Sequence, residues 1–285
     1  MVMGMGGVST LRAMTGQDLL SAHKLSSEQQ WPHRKADWGR LLELGQGVVA
    51  ECDGHVVGTT LWWTYGAGHA VIGMVIVANS QQGNGLGRRL MDAAIDAIGD
   101  RSILLNATDA GLSLYRALGF EAIGTIFQHQ GAAFGVPIAE LIPDERIAPM
   151  KAGEIEAIVT LDRRAVGMDR RDVVLYLCDH AQGVVLNRSG EQAGYALFRR
   201  FGRGLSIGPV VAPDRGGAKA LITQWLGSNP GMFCRLDVPE ESGLSAWLDG
   251  LGLPCVGRVT RMCRGALPPA DPDFHVYSLA NQALG

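Results

Sequence analysis

The stretch Val75-Ile76-Val77-Ala78-Asn79-Ser80-Gln81-Gln82-Gly83-Asn84-Gly85-Leu86-Gly87 changes character twice. A β-branched run ends, a polar, glycine-rich segment follows, and Leu86, Leu90, Ala94 and Ile98 then recur at helical spacing. This predicts a strand, a loop and a helix, with the loop opening directly into the first helical turn. Backbone N–H groups at such a start lack intrahelical partners, and the helix dipole favours negative charge there, so a phosphate finds a prepared site. Gly83, Gly85 and Gly87 suit it because a Cβ would hold phosphate off the backbone and resist positive φ angles. Arg88 and Arg89 add positive charge beside it. The glycines alone are equally compatible with a tight strand-to-helix corner.

Two phosphate-binding patterns are excluded by spacing. A Gly-x-Gly-x-x-Gly fingerprint needs glycine where Arg88 stands, and no Gly-Lys-Ser/Thr occurs.

On either side of this stretch the chain repeats itself. Gly47-Val48-Val49-Ala50-Glu51-Cys52-Asp53-Gly54-His55-Val56-Val57-Gly58 is echoed by Gly183-Val184-Val185-Leu186-Asn187-Arg188-Ser189-Gly190-Glu191-Gln192-Ala193-Gly194. Each copy reads as two strands joined at Asp53-Gly54 or Ser189-Gly190, a hairpin signal. Leu11 to Met14 matches Ile147 to Met150, and Ile72 to Val77 matches Ile207 to Ala212, so one order of strands and helices occurs twice. Two domains result, residues 1–135 and 143–285, separated by the Pro- and Gly-containing segment around Gly135-Val136-Pro137 and Ile142-Pro143-Asp144. After Pro272 a short helix is expected from about Phe274 to Leu284.

Composition narrows the function. With 25 Lys+Arg against 28 Asp+Glu the chain is slightly acidic, which argues against a partner bound through its phosphate backbone, so no nucleic acid is expected. No apolar run reaches membrane-spanning length, and a cytoplasmic protein with no membrane contact is expected. The five cysteines and seven histidines are scattered without ligand spacing, and no metal is implied.

Gln82-Gly83-Asn84-Gly85-Leu86-Gly87 resembles the coenzyme A loop of the GNAT acyltransferase superfamily, Gln/Arg-x-x-Gly-x-Gly/Ala. Leu114-Tyr115-Arg116-Ala117-Leu118-Gly119-Phe120 is similar to the Leu-Tyr-x-x-x-Gly-Phe run that follows the fifth strand in that family. The resemblance implies an α/β (mixed α+β) fold of two tandem GNAT-like domains, each a mixed, mostly antiparallel sheet flanked by helices. It further implies acetyl-coenzyme A as co-substrate, with Gln82 to Gly87 and Arg88 at the pyrophosphate and the pantetheine arm beside Val75 and Val77. Tyr115 would then protonate the departing thiolate, the alternative being a core aromatic. Many relatives carry asparagine where this chain has Thr108, and Asn106 is the candidate to take over that coenzyme contact.

The acceptor side is less defined. Trp31 and His33, in the polar segment Gln30 to Arg34, together with Trp62, Trp63 and Tyr65, are candidates for binding a small-molecule amine, against ordinary aromatic packing. Glu51 is either a base or a solvated strand residue. When the repeat alignment is continued through the long strand, Gly217 to Ile222 falls on the glycine loop, with Ile222 spoiling the phosphate approach, and Tyr115 falls on Trp247 or Leu248, depending on where one residue is inserted before Gly252. The second copy therefore reads as degenerate. Its Asp169-Arg170-Arg171 aligns with His33-Arg34-Lys35, making Asp169 and Arg170 candidates for the acceptor's charged group, or a solvated cluster. The activity implied is direct transfer of acetyl to an amine in a ternary complex. A coenzyme sensor without turnover and a transferase for longer acyl groups or protein amines are the alternatives.

Overall fold

The computed structural model describes residues 9–285. The first half runs β1 (Thr10–Ala13), α1 (Leu19–Glu28), α2 (Lys35–Leu44), β2 (Gln46–Cys52), β3 (His55–Tyr65), β4 (His69–Val77), α3 (Leu86–Ile98), β5 (Ser102–Ala107), α4 (Leu112–Ala117) and β6 (Glu121–Ala132). The second half repeats that order as β7 (Glu145–Pro149), α5 (Ile155–Val166), α6 (Arg171–His180), β8 (Gln182–Arg188), β9 (Glu191–Phe201), β10 (Gly204–Ala212), α7 (Arg215–Ser228), β11 (Phe233–Pro239), α8 (Ser245–Gly250) and β12 (Cys255–Arg264). A last strand, β13 (His275–Ser278), follows where the sequence suggested a helix.

The apolar stripe that predicted α3 is the face the helix buries: Leu86, Leu90, Ala94 and Ile98 are each at most 4 % exposed. Each of the larger side chains contributes about 1.5–3 kcal/mol by leaving water. Leu90 reaches β3 at Gly58, where a Cβ would lie 2.9 Å from its Cδ1.

The strands form one sheet in the order β1-β2-β3-β4-β5-β12-β6-β11-β10-β9-β8-β7. The two halves have exchanged their last strands. Antiparallel β12 lies beside β5, where β6 would stand in a separate first domain, and β6 lies beside β11 in return. The two exchanged strands pair with each other at the centre, through Thr260 opposite Thr125 and Val259 opposite Ile126. Each half thus takes one strand from the other, and the halves of the sheet do not coincide with the halves of the sequence.

Within the first half, β4 and β5 pair in parallel only from His69 to Ile72. Beyond that point they separate, leaving the β4 edge from Gly73 to Val77 without a strand on that side. Met74, at φ 54°, sits in the β3–β4 irregularity that bends the strand there. In the second half the matching split is filled: β10 pairs with β11 only at Leu205 and Ser206, and β13 then pairs antiparallel along Val210 to Ala212. The chain continues from β13 into the gap between the halves, where Tyr65 donates to the Leu284 carbonyl at 2.8 Å and Asn106 Nδ2 to the Gln282 carbonyl at 2.8 Å.

Candidate active site

A cleft of about 650 Å³ opens along the unpaired β4 edge and continues to the start of α3 and to α4. Val75, Val77, Gly83, Gly85 and Arg88 line it. Gln82 holds the loop in shape, its Nε2 donating to the Val77 carbonyl and to Asn79 Oδ1, both at 3.1 Å. Gly83 and Gly85 adopt φ of 80° and 74°, and a Cβ at either would meet only open space. Backbone conformation and access to a ligand, rather than packing, account for glycine at these two positions. Gly85 is also the N-cap of α3 and offers no side-chain acceptor, so the first N–H groups of the helix stay open toward the cleft. Gly87 has a different reason: a Cβ there would come within 3.3 Å of Leu114 on α4.

Tyr115 lines the same cleft at 8 % exposure, packed edge-on against Phe120. Its hydroxyl has no hydrogen-bond partner among the described residues, and burial pushes its pKa up to about 12, so the phenol keeps its proton at neutral pH.

Trp31 and Thr108 also border a second cavity, of about 200 Å³, that lies between the two halves. His33 and Asn106 come to it from the first half, Phe201, Arg235 and Arg258 from the second, and Gln282 from the tail. His33 is caged by Trp31, Trp38 and Phe201, with ring centroids 5.6 to 6.5 Å away. Burial, and then the positive charge of Arg235, push its pKa down to about 4. Its Nδ1 and the Oδ1 of Asn106 are buried without a hydrogen-bond partner.

Comparison with known proteins places this geometry. Models of the GNAT acetyltransferase domain match twice, over residues 43–122 and 158–278. The chain belongs to the GNAT acetyltransferase family. It is 28 % identical over 218 residues to the uncharacterized N-acetyltransferase YitH of Bacillus subtilis, spanning 75 % of this chain and 76 % of that one. In fold it resembles a putative acetyltransferase from Pyrococcus horikoshii, with a TM-score of 0.80 at 20 % identity over 100 % of this chain and 98 % of the other. A tandem GNAT protein from the clavulanic acid biosynthesis pathway matches with a TM-score of 0.66 at 16 % identity, over 91 % and 99 % of the two chains.

Within this GNAT frame the residues named from sequence separate into groups. Val75, Val77, Gln82, Gly83, Gly85, Leu86, Gly87, Arg88 and Tyr115 all border the one cleft, and Asn84 is exposed on the same loop. Arg89 turns away and donates to Ser9. Asn106 does not border this cleft: it lies on the small cavity, and Thr108, like Trp31, touches both. Trp31 and His33 reach the small cavity, but Trp62 does not, since it packs in the core with Ile72, Met91 and Ile103. Trp63 and Tyr65 are likewise buried, donating to the carbonyls of Leu41 and Leu284. Glu51 accepts from Arg12 at 2.8 Å and borders neither space.

Asp169 and Arg170 also correct the acceptor reading. Asp169 is exposed beside the β3–β4 turn at Gly66. Arg170 is 2 % exposed, donates to both oxygens of Asp162 at 2.7 and 2.8 Å and reaches the Gly285 oxygen, so it anchors the tail. The charged residues that the second half does send to the cavity, Arg235 and Arg258, were not singled out from sequence. They lie on β11 and on the exchanged β12, and only the strand order brings them there.

The second GNAT copy is closed by other means than the repeat alignment suggests. Between β10 and α7 stand only Pro213 and Asp214, against Ala78 to Gly85 in the first half, so the loop is shortened. Gly217 to Ile222 lie within α7, with Ile222 wholly buried in the core. Asp214 caps the helix, its Oδ1 accepting from Gly217 N at 2.8 Å, and occupies with its own carboxylate the place an anion would take. Leu248, four residues before left-handed Gly252, stands where Tyr115 precedes Gly119. Its carbonyl accepts from Leu253 N as that of Tyr115 accepts from Phe120 N.

Proposed function

We propose that the first-half cleft binds one acetyl-coenzyme A per chain and that the protein transfers the acetyl group directly to a primary amine of a small molecule held in the adjoining cavity. The observation that carries this reading is the continuity of three features in one cleft: the free β4 edge, the open helix start behind Gly83 and Gly85, and the unpartnered Tyr115 hydroxyl.

The bound thioester would supply an activated acetyl carbon. The N–H groups at the start of α3 and the Arg88 guanidinium would hold the pyrophosphate. The backbone of Val75 and Val77 would pair with the amides of the pantetheine arm as a further strand would. Tyr115 donates its proton to the departing sulfur as the C–S bond breaks and the C–N bond forms. Among the described residues, no carboxylate lines either space. The imidazole bordering the small cavity, His33, is held near pKa 4 and is a weak base. The amine therefore reacts from its neutral fraction and loses its surplus proton to water. This yields a pH profile of kcat/KM that rises with the amine's own ionisation and shows no enzyme group between about pH 5 and 9.

Free thiol release from acetyl-coenzyme A across a panel of small amines tests the reading. Turnover with one acceptor class supports it. Tight coenzyme binding without release from any amine would instead indicate a sensor.

A further inference from the structure

The small cavity between the halves bears on the identity of the acceptor, a question that rests on the acetyl-transfer reading proposed for the adjoining cleft. Two cationic side chains border it, Arg235 and Arg258, and no Asp or Glu lines it among the described residues. Arg235 is held in place by Asp237, which accepts from its Nε and Nη2 at 2.9 to 3.2 Å, while Nη1 has no hydrogen-bond partner among the described residues. Arg258 is exposed and forms no ion pair among the described residues. A site for a plain amine would be expected to show carboxylates facing the ammonium; this one shows the opposite charge.

The cavity also holds unanswered polar atoms. Asn106 Nδ2 donates to the Gln282 carbonyl, which fixes the amide's orientation, so its buried Oδ1 is an acceptor without a donor. An unpaired buried acceptor is costly unless a ligand supplies the hydrogen. Neutral His33, with Nδ1 also unpartnered, adds no charge that would repel an amine. Thr108 and Trp31 line both this cavity and the cleft that Tyr115 lines, so a molecule in the cavity adjoins the space assigned to the coenzyme.

We infer that the acceptor is a small amine bearing a carboxylate, as in an amino acid, with the carboxylate held by Arg235 and Arg258 and an N–H of the amine side donated to Asn106. Arginine forks match carboxylate geometry, and the 200 Å³ volume suits a compact molecule rather than a peptide segment.

The test uses the full chain and matched trios: an amino acid, its carboxamide and its decarboxylated amine. Thiol release is measured with each, and acceptor binding is measured by calorimetry with coenzyme A present. The acid is expected to have kcat/KM at least about tenfold above its two analogues and to be the only one of the three whose binding weakens in Arg258→Gln, by about fivefold. Arg235→Lys keeps the charge opposite Asp237 but loses the fork. It is expected to raise KM for the acid by about tenfold with kcat and the coenzyme KM little changed. Equal or better use of the amide or the decarboxylated amine would overturn this inference while leaving acetyl transfer intact. Absence of coenzyme A binding would overturn the transfer reading itself, and the two failures are told apart by the coenzyme titration.

Discussion

The two copies in this chain have the same order of strands and helices, yet one keeps the split in its sheet open as a cleft and the other fills it with a strand. In the first half, β4 and β5 part after Ile72, an eight-residue loop leads to an uncapped helix and Tyr115 faces the gap. In the second, each of those features has been answered from within the protein. β13 fills the split, the loop is reduced to two residues, Asp214 caps the helix and Leu248 replaces the phenol. On the proposed function, the first-half site is an absence maintained by the fold: an edge left unpaired, N–H groups left uncapped and, among the described residues, a hydroxyl left without a partner. In the second half the same backbone plan satisfies these groups internally.

Matched positions in the two halves put that contrast within reach of mutagenesis. The largest effect is expected at Arg170, which stands at the N-cap of α6 as Arg34 stands at that of α2. Arg34 is partly exposed and pairs with Asp37 at 2.6 Å, whereas Arg170 is buried on Asp162. Arg170→Met should cost about 3–5 kcal/mol of stability in urea unfolding, because Asp162 is left buried without its cation. Coenzyme affinity should stay within about twofold in the protein that remains folded. A large change in acceptor KM without loss of stability would restore a substrate role.

The preceding pair, His33 and Asp169, comes next. Partly buried His33 is neutral in the folded protein down to about pH 4, while in the unfolded chain it takes up a proton below about 6.5. The unfolded state therefore binds the extra proton in that window. The stabilisation is complete above about pH 6.5 and falls by about 3 kcal/mol as the pH drops to about 4. Unfolding free energies of the wild type and His33→Gln, compared at about pH 7 and about pH 4.5, should show a shallower acid loss in the variant. Parallel slopes would mean that the imidazole protonates freely in the fold.

A smaller effect is expected from Tyr115, the partner of Leu248. Tyr115→Phe should lower kcat by about 100-fold and leave the dissociation constant of coenzyme A within about twofold. Because the phenol's pKa is raised to about 12, the wild-type rate should show no loss of this acid up to about pH 9.

Much of the first half was legible in the sequence because its signals are local. The β-branched run, the glycines and the helical stripe lie within one short stretch, and Tyr115 follows in a recognisable motif. What escaped depends on pairing over distance. Strands β6 and β12 carry no local mark of which neighbour they will take, so their exchange, and with it the arrival of Arg258 and Gln128 at the cavity, could not be read from the repeat. An alignment carried from the long strand into the helix without a gap conceals the shortened loop because α7 has apolar residues at either register. Trp62 and Trp63 were equal as aromatics, but strand alternation sends them to opposite faces, one under α3 and the other toward Leu41, and neither to the cavity. The tail was misread as helix because pairing with β10, not local propensity, decides the conformation of His275 to Ser278.

The contrast between an open and a closed copy reduces to one titration of coenzyme A into the full chain, alone and with Gly85→Asp, which places at the α3 N-cap the carboxylate that Asp214 supplies to α7. One site per chain is expected in the wild type and at least about 100-fold weaker binding in the variant, which at φ 74° also loses about 1–2 kcal/mol of stability but stays folded. Two sites per chain, or undiminished binding with Gly85→Asp, would refute the reading of the cleft as a site left open by the fold.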